Sequence, residues 1–402
     1  MYLKLSYGTI EHTTEFITSN SSYKLEEVYY NDLSHADNAC SVKIPFNVEI
    51  QNFINDYSDN SILAQVKETD GTNIFTGYVR KNYDFSKAQK NQALSLELVS
   101  PSFLLDVDTT QDIVLENTTL DSVVNALLAD AKFSTATLAS LSSYSIPIFT
   151  LDEGSNVKTT LDNILQQYGF TFDFDKNGNF YAATLFSDIP TDKTKITQIF
   201  DGTNSIDEIK VEKKEQEYNG VNLSWTEYKN ISNKLIFADT TNGSASENTC
   251  SIELQAGKYL TSGNEEDTGT SYYITYDSSE GDIIYIDSAT LTLESSNNSG
   301  LTYSFTNLGK KGELSIYNKS SSAITITKIN VNGSGYVKGS ENQTKTTTGK
   351  KFKDITGDYI HDSTSARKFA QNYCDWQNYA DYRISLKSNS DFALGSFVKI
   401  SE

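Results

Sequence analysis

The sequence predicts a mainly β chain of several domains, with one α+β module set among its strands. Three observations carry this expectation. Tyr (25) and Phe (20) are abundant, Pro is rare (4), and Ser, Thr and Asn are plentiful, a bias that favours strands and turns over long helices. Apolar residues alternate with polar ones along much of the chain, the period of a half-buried strand. A helical period appears in only a few short stretches. At 402 residues the chain exceeds one ordinary core, which implies about two to four domains.

Residues 1–105 read as a small antiparallel barrel or sandwich. In "SILAQVKETDGTNIFTGYVRKNYDF", Ile62, Ala64 and Val66 share one face, Asp70-Gly71 turns the chain, and it returns through Ile74 to Val79. In "ALSLELVS", Leu94, Leu96 and Leu98 alternate with Ser95 and Glu97.

Near Pro101 the period changes. "NTTLDSVVNALLADAKF" carries Leu120, Val123, Val124, Leu127 and Leu128, the apolar stripe of an amphipathic helix. Thr118 with Asp121 resembles its N-terminal capping pair. In "NVKTTLDNILQQYG" a second helix places Val157, Leu161, Ile164, Leu165 and Tyr168 on one face, and Gly169 occupies the left-handed cap position. "DFDKNGNFY" follows. Its Asp173, Asp175, Asn177 and Gly178 fall on the first, third, fifth and sixth positions of a calcium loop, but the bidentate carboxylate that closes such a loop is replaced by Thr184. Phe170, Phe172 and Phe174 alternate with Thr171 and Asp173. A hairpin is therefore expected, with Lys176-Asn177-Gly178 as its turn and positive φ at Asn177 and Gly178. Residues 106–200 form this compact module.

"SIDEIKVEKKEQEYNGVNLSWTEYKN" reads as two strands with a turn near Asn219-Gly220. From 231 to about 350 the chain is rich in Ser, Thr, Asn and Gly. Its short strands ("YYITYD", "DIIYI", "LTYSFT", "ELSIYN", "AITITKINV") predict a β-sandwich, and "GSENQTKTTTGKK" a solvated connector. "DSTSARKFAQNYCDWQNYA" predicts a helix with Ala366, Phe369, Ala370 and Tyr373 on one face. Two strands are expected to complete the chain, and its end at Glu402 directly after a strand leads to the expectation of a longer natural protein.

Acids outnumber bases by 53 to 33, a net charge of -20 that repels phosphate backbones and disfavours tight nucleic-acid binding. Cys40, Cys250 and Cys374 are far apart and form no CxxC or Cys/His cluster, so neither a disulfide framework nor a zinc site is expected. The opening "MYLKLSYGTIEHTTEF" lacks the pattern of a signal peptide, and no stretch approaches the roughly 20 apolar residues of a membrane span, so synthesis in a cytoplasm is expected.

Catalytic signals are weak. His12 and His35 sit in polar, turn-like stretches and His361 precedes a helix cap, so all three read as surface histidines. There is no G-x-S-x-G elbow and no H-E-x-x-H. Glu265-Glu266 and Asp207-Glu208 read as solvated surface, and Gly349 to Lys351 lacks the glycine spacing of a phosphate loop. Tyr272, Tyr273, Tyr276, Tyr285 and Tyr303 could stack on sugar rings, but on alternating strands they read as packing. Trp225 and Trp376 lie outside that region. No catalytic, cofactor-binding or metal-binding residue is assigned, no cofactor is expected, and the chain is not expected to be an enzyme.

The order of parts resembles the tail hub proteins of bacteriophages, also called baseplate hub or tail-tip proteins, and the related hub portion of type VI secretion spikes. "NACSVKIPF" followed by "IFTGYVRK" is similar to the first hub barrel. "TTLDSVVNALLADA" followed by "VKTTLDNILQQYGFTFDFDKNGNFY" is similar to the helix–helix–hairpin module. "IKVEKKEQEYNGVNLSW" resembles the opening strands of a second barrel, and "YIHDSTSARKFAQNYCDWQN" with "LGSFVKI" its completion. The resemblance implies a first hub barrel at 1–105 and an α+β module at 106–200. It also implies a second barrel split between 201–230 and 360–402, around an inserted β-sandwich with its connector at 231–359. It further implies a structural virion protein of the tail tip or baseplate, made in the bacterial cytoplasm. Hub proteins form a homotrimeric ring that joins the six-fold tail tube to the three-fold tip and surrounds the path of ejected DNA. The implied partners are tail tube or distal tail ring proteins, the tape measure protein and tip spike or fibre proteins, with DNA passing unbound through the lumen and the host cell surface met through the insertion. Two other readings stay open: a β-sandwich adhesin for cell-surface glycans, and a peptidoglycan hydrolase whose catalytic domain lies outside this segment.

Overall fold

The computed structural model describes residues 1–15, 24–26, 39–57, 61–80, 90–134, 136, 138, 140–184, 196–200, 210–213, 220–261, 264–266, 271–346, 351–379, 382–385 and 397–400. The protein is mainly β with a few helices. It divides into two compact units: Met1–Leu223 with Thr344–Ile355 and Thr364–Glu402, and Ser224–Gln343 with Thr356–Ser363.

The first unit opens with strands β1 (Tyr2–Tyr7), β2 (Ile10–Glu15), β3 (Lys24–Glu26), β4 (Ala39–Pro45), β5 (Leu63–Lys67), β6 (Asn73–Arg80) and β7 (Ala93–Val99). They form one antiparallel sheet in the order β2-β1-β5-β6-β7-β4-β3, a curled half-barrel with β2 and β3 at its ends. Alternation places Val42 opposite Leu96 and Ile44 opposite Leu94, so both strands turn the same face to the core. The β5–β6 turn falls at Gly71 (φ +92), where the Asp70 carboxylate accepts the Thr72 N–H at 2.9 Å. A helix, α1 (Val48–Asp56), stands where only strands were expected. Asn47 caps it by accepting the Glu49 N–H, and Ile50, Phe53 and Ile54 pack into the core of the sheet. Their i, i+3, i+4 spacing behind a capping Asn was its signal.

The module follows as β8 (Ile113–Thr119), α2 (Leu120–Asp130), β9 (Ser145–Leu151), α3 (Val157–Gln167), β10 (Phe170–Phe174) and β11 (Phe180–Thr184). The predicted stripe of α2 is fully buried: Leu120, Val123, Val124, Leu127 and Leu128 are each 0% exposed. Its cap differs from expectation by one residue. Thr118 belongs to β8 and Thr119 is the cap, with a hydroxyl that bonds the Asp121 carboxylate at 2.5 Å instead of a helix N–H. In α3, Asn156 accepts the Thr159 N–H at 2.9 Å, and Gly169 takes the left-handed conformation (φ +83). The antiparallel pair β8–β9 was not foreseen. Two strands complete this stretch, β12 (Ile196–Phe200) and β13 (Lys210–Lys213).

The second unit begins inside β14 (Gly220–Ala238). It continues through β15 (Ile252–Leu254), β16 (Tyr259–Thr261), β17 (Asn264–Glu266), β18 (Tyr272–Thr275), β19 (Ile283–Ser295), β20 (Leu301–Asn307), β21 (Lys311–Asn318) and most of β22 (Ile324–Lys345); β23 (Phe352–Gly357) follows, with Phe352–Ile355 in the first unit and Thr356–Gly357 in the second. One sheet runs β15-β22-β14-β23 with β19 on β22; the other runs β17-β16-β21-β18 with β20 on β21. Two clusters fill the space between them. One joins Leu254, Ile324 and Ile326 to Leu260, Leu314 and Ile316; the other joins Ile236, Ile286 and Val331 to Ile274 and Tyr276. The expectation of short strands fails: β14, β19 and β22 have 19, 13 and 22 residues. The composition change at 231 falls inside unbroken β14, and the connector expected from Gly339 is strand as far as Lys345. Ser, Thr and Asn on the wet faces of long strands had imitated turns, because composition reports exposure and not whether the backbone is paired.

The chain ends with α4 (Ser363–Tyr379), β24 (Tyr382–Ser385) and β25 (Phe397–Ile400). Ala366, Phe369, Ala370 and Tyr373 form its predicted apolar face, each 5% exposed or less. β25 pairs in parallel with β12, and β24 pairs antiparallel with β13. The turn expected at Asn219 lies outside the described residues. Among the described residues no helix is long and apolar enough to cross a membrane.

Candidate functional site

The hairpin between β10 and β11 commits its turn oxygens to protein donors, within the turn and on β6. The Asp175 carboxylate accepts the N–H groups of Asn177 at 2.8 Å and Asn179 at 2.9 Å, and the Asn179 side-chain amide at 3.1 Å. Burial alone would raise the Asp175 pKa; the bonds from Asn179 and Asn177 outweigh it and hold the carboxyl below its ordinary value. Asp173 is 3% exposed and accepts the Phe174 N–H at 2.7 Å. Asn177 Oδ1 accepts from the Asn73 amide at 3.0 Å. Of the two turn residues expected at positive φ, only Gly178 adopts it (φ +82). Thr184 is the last residue of β11, paired with Phe170. The oxygens that a calcium ion would need are thus turned to backbone and amide donors. A calorimetric calcium titration is expected to show no micromolar site here, and Asp175→Ala is expected to loosen the turn. Because the folded pKa is depressed, the stabilisation from Asp175 is present above about pH 4 and is lost as pH falls through that folded pKa. Equal stability of wild type and Asp175→Ala at pH 7 would contradict this.

Of the described histidines, His361 departs from the surface reading. His12 lies within β2 and packs its ring on Phe53, centroids 4.6 Å apart. His35 lies outside the described residues. His361 is only 8% exposed. It stacks on Tyr228 at 3.6 Å with an interplanar angle of 11°, and its Nδ1 lies 3.1 Å from the Thr226 carbonyl. A carbonyl only accepts, so Nδ1 carries the hydrogen. Burial lowers the His361 pKa, against the pull of the Thr226 bond and Asp362. Burial likewise raises the Tyr228 pKa, with Asp358 and Tyr359 adding to it. Sequence spacing gave no sign of this pair, since its members come from β14 and from the turn before α4.

The thiols are buried. Burial pushes Cys40 up to about 12 and Cys250 up to about 11, which leaves both as unreactive thiols at neutral pH. Among the described residues no group of three or more His, Cys, Asp or Glu is placed to hold a metal ion. Asp207-Glu208 and Gly349 lie outside the described residues; Glu265 and Glu266 lie on β17, paired with Leu260 and Tyr259. Glu280 is held at about 2 by hydrogen bonds from Lys229 and Lys234, which tie the β18–β19 turn to β14.

The five tyrosines form no common platform. Tyr276 is 5% exposed and donates to Asn307 at 3.0 Å, and the buried Tyr272 hydroxyl has no hydrogen-bond partner among the described residues. The Tyr285 ring covers Gly309. Tyr273 and Tyr303 are 62% and 54% exposed. Their registers place them opposite Glu313 and Ile316 of β21, hence on opposite faces of the sheet. Tyr273 is also covered by Lys311, 4.2 Å above its ring. Trp225 is 8% exposed within β14, and Trp376 lies on α4.

No family model matches the chain, and no curated protein matches it. Among solved structures it is similar to the 43 kDa tail protein of prophage MuSo2 from Shewanella oneidensis, with 13% identity over 55% of this chain and 66% of that one and a TM-score of 0.36. It is similar to the tail protein from Neisseria meningitidis MC58, with 12% identity over 82% and 96% of the two chains and a TM-score of 0.37. It is also similar to a chain of a lidless PdpA–VgrG complex, with 11% identity over 83% and 64% and a TM-score of 0.32. The chain spans just under two thirds of the length of the first and third of these.

Proposed function

We propose that this chain is a structural component of a phage-type tail, and that it serves at the tip or baseplate as a hub. In this reading three copies form a ring that joins a six-fold tube to a three-fold tip and surrounds the DNA path. The chain works without catalysis. The observation that carries the reading is the pairing of β13 with β24, beside which β12, from the end of the expected α+β module, pairs with β25. Strands on either side of a separate unit come together, which is the layout that the resemblance implies for a split second barrel. Closing so long an excursion is thermodynamically mild, because loop-closure entropy grows slowly with length.

Two physical features fit a ring of copies. Within the described residues, β2 and β3 each end the seven-stranded sheet with an edge that has no ladder partner, and pairing between copies would cover such edges. The net charge of -20 suits the wall of a conduit that must not hold the DNA passing through it. The glycan-adhesin reading finds no comparable support, since Tyr273 and Tyr303, the exposed pair among the five tyrosines considered for sugar stacking, lie on opposite sheet faces.

The test is the mass and shape of the purified full-length chain, by mass photometry and negative-stain imaging. Trimeric rings with a central opening are expected. A particle that stays monomeric or dimeric at micromolar concentration, and in the presence of tail tube protein, would refute the hub.

A further inference from the structure

We propose that β20 docks a second copy of this chain: two β20 strands pair antiparallel about a two-fold axis at Ser304 and so join the sheets of two second units. Among the described residues β20 pairs only with β21. Bonds at the two ends of that ladder fix its alternation. Leu308 donates to the Lys311 carbonyl at 2.9 Å, and Lys319 donates to the Gly300 carbonyl at 2.9 Å. Bonded residues alternate along an antiparallel strand. Thr302, Ser304 and Thr306 therefore bond to β21, and the N–H and C=O groups of Tyr303 and Phe305 point away from it. The ends of β20 are taken. The Leu301 N–H bonds the Asn298 carbonyl, and the Asn307 side-chain amide donates to the Ile286 carbonyl of β19 at 2.8 Å. The open stretch is Thr302–Thr306.

This stretch lacks what usually protects an edge. It holds no charge, Pro or Gly, whereas β2 carries Glu11 and Glu15, and β19 carries Asp287 and Glu294. Tyr303 lies opposite the fully buried Ile316, so its ring is on the core side of the sheet, yet it is 54% exposed. Phe305, on the same side, is half-buried. The symmetry of the strip selects its occupant. Turned about Ser304, β20 sets Tyr303 opposite Phe305 of the second copy, and Thr302 opposite Thr306 of that copy. The outward groups of Tyr303 and Phe305 then bond to each other. An aromatic pair shares the core side and a threonine pair the other, both favourable cross-strand pairs. At a net charge of -20 two copies repel, and an uncharged strip lets them approach without opposing like charges. The contact is separate from the three-fold ring: loss of either leaves the other in place.

The experiment is oxidative cross-linking of full-length Ser304→Cys at micromolar concentration, read on a non-reducing gel. The pairing sets the two Cα atoms at position 304 about 4.5 Å apart, within disulfide reach. Thr306→Cys is the control, because its two copies would lie about 14 Å apart, four residues along the strand. Cys40, Cys250 and Cys374 are buried and give no background. Ser304→Cys is expected to yield at least about tenfold more dimer than Thr306→Cys. Equal dimer from both would overturn the proposal, as would no dimer, the result if β20 serves a different protein. Hydrogen exchange gives a second reading. In Ser304→Lys two like charges meet at the axis, so the Tyr303 and Phe305 amides are expected to lose about tenfold in protection relative to wild type, while the Thr302 and Thr306 amides keep theirs. Equal protection of Tyr303 and Phe305 in the two proteins would refute the contact.

Discussion

Phe172→Ala is expected to destabilise the first unit by about 3–5 kcal/mol, the usual cost of emptying a closed aromatic site. Phe172 is fully buried at the centre of β10, a strand buried along its whole length. Its ring stacks on Phe180 of β11 at 5.2 Å, and Phe180 meets Phe174 edge-on at 5.7 Å. Phe174 in turn packs on Phe133 at 5.5 Å. These rings interlock and resist collapse into the cavity. Thr171 and Asp173 are buried on the other face, at 7% and 3% exposure, which leaves the strand no solvent side to relax towards. Denaturant unfolding measures the effect, and two units can give two transitions, of which only the one reporting the first unit should move. Phe172→Leu, closer in volume, should cost clearly less. A loss below about 1 kcal/mol for Phe172→Ala would mean that β10 is not a core strand.

Gly281→Ala is expected to cost the second unit at least about 2 kcal/mol, by adding backbone strain to overpacking. Gly281 has φ +143, and a Cβ there would lie 2.0 Å from the Lys338 carbonyl oxygen. That oxygen is backbone of β22 and cannot swing aside. The turn is pinned from both sides: Gly281 donates to the Ser278 carbonyl at 3.3 Å, and Lys338 donates to the Asp282 carbonyl at 2.7 Å. Glu280, next in the chain, is bonded to Lys229 and Lys234. Gly257→Ala is the control. Gly257 also has positive φ (+74) but has nothing within 4 Å of its added Cβ, so only strain of about 1 kcal/mol applies. Thermal unfolding of both variants separates the two effects. Equal losses would show that the approach to Lys338 does not matter.

The sequence by itself determined the elements whose signals are short-range. The stripes of α2, α3 and α4, the Gly71 turn and the alternation of β5 and β7 were legible because each depends on residues a few positions apart, and burial then matched the period. The hairpin at Asp175 was also legible, since Thr184 could not close a calcium loop. Only the tertiary structure decided the rest. It made β10 a strand buried on both faces, carried β14 and β22 through stretches that had read as a domain boundary and a connector, and separated Tyr273 from Tyr303. It also buried His361, whose hydrogen-bond partner Thr226 lies 135 positions away. Periodicity and composition report how a segment meets solvent on average. Which strands pair, and what is stacked on a given side chain, depends on neighbours brought by the fold from far along the chain, and no local pattern encodes them.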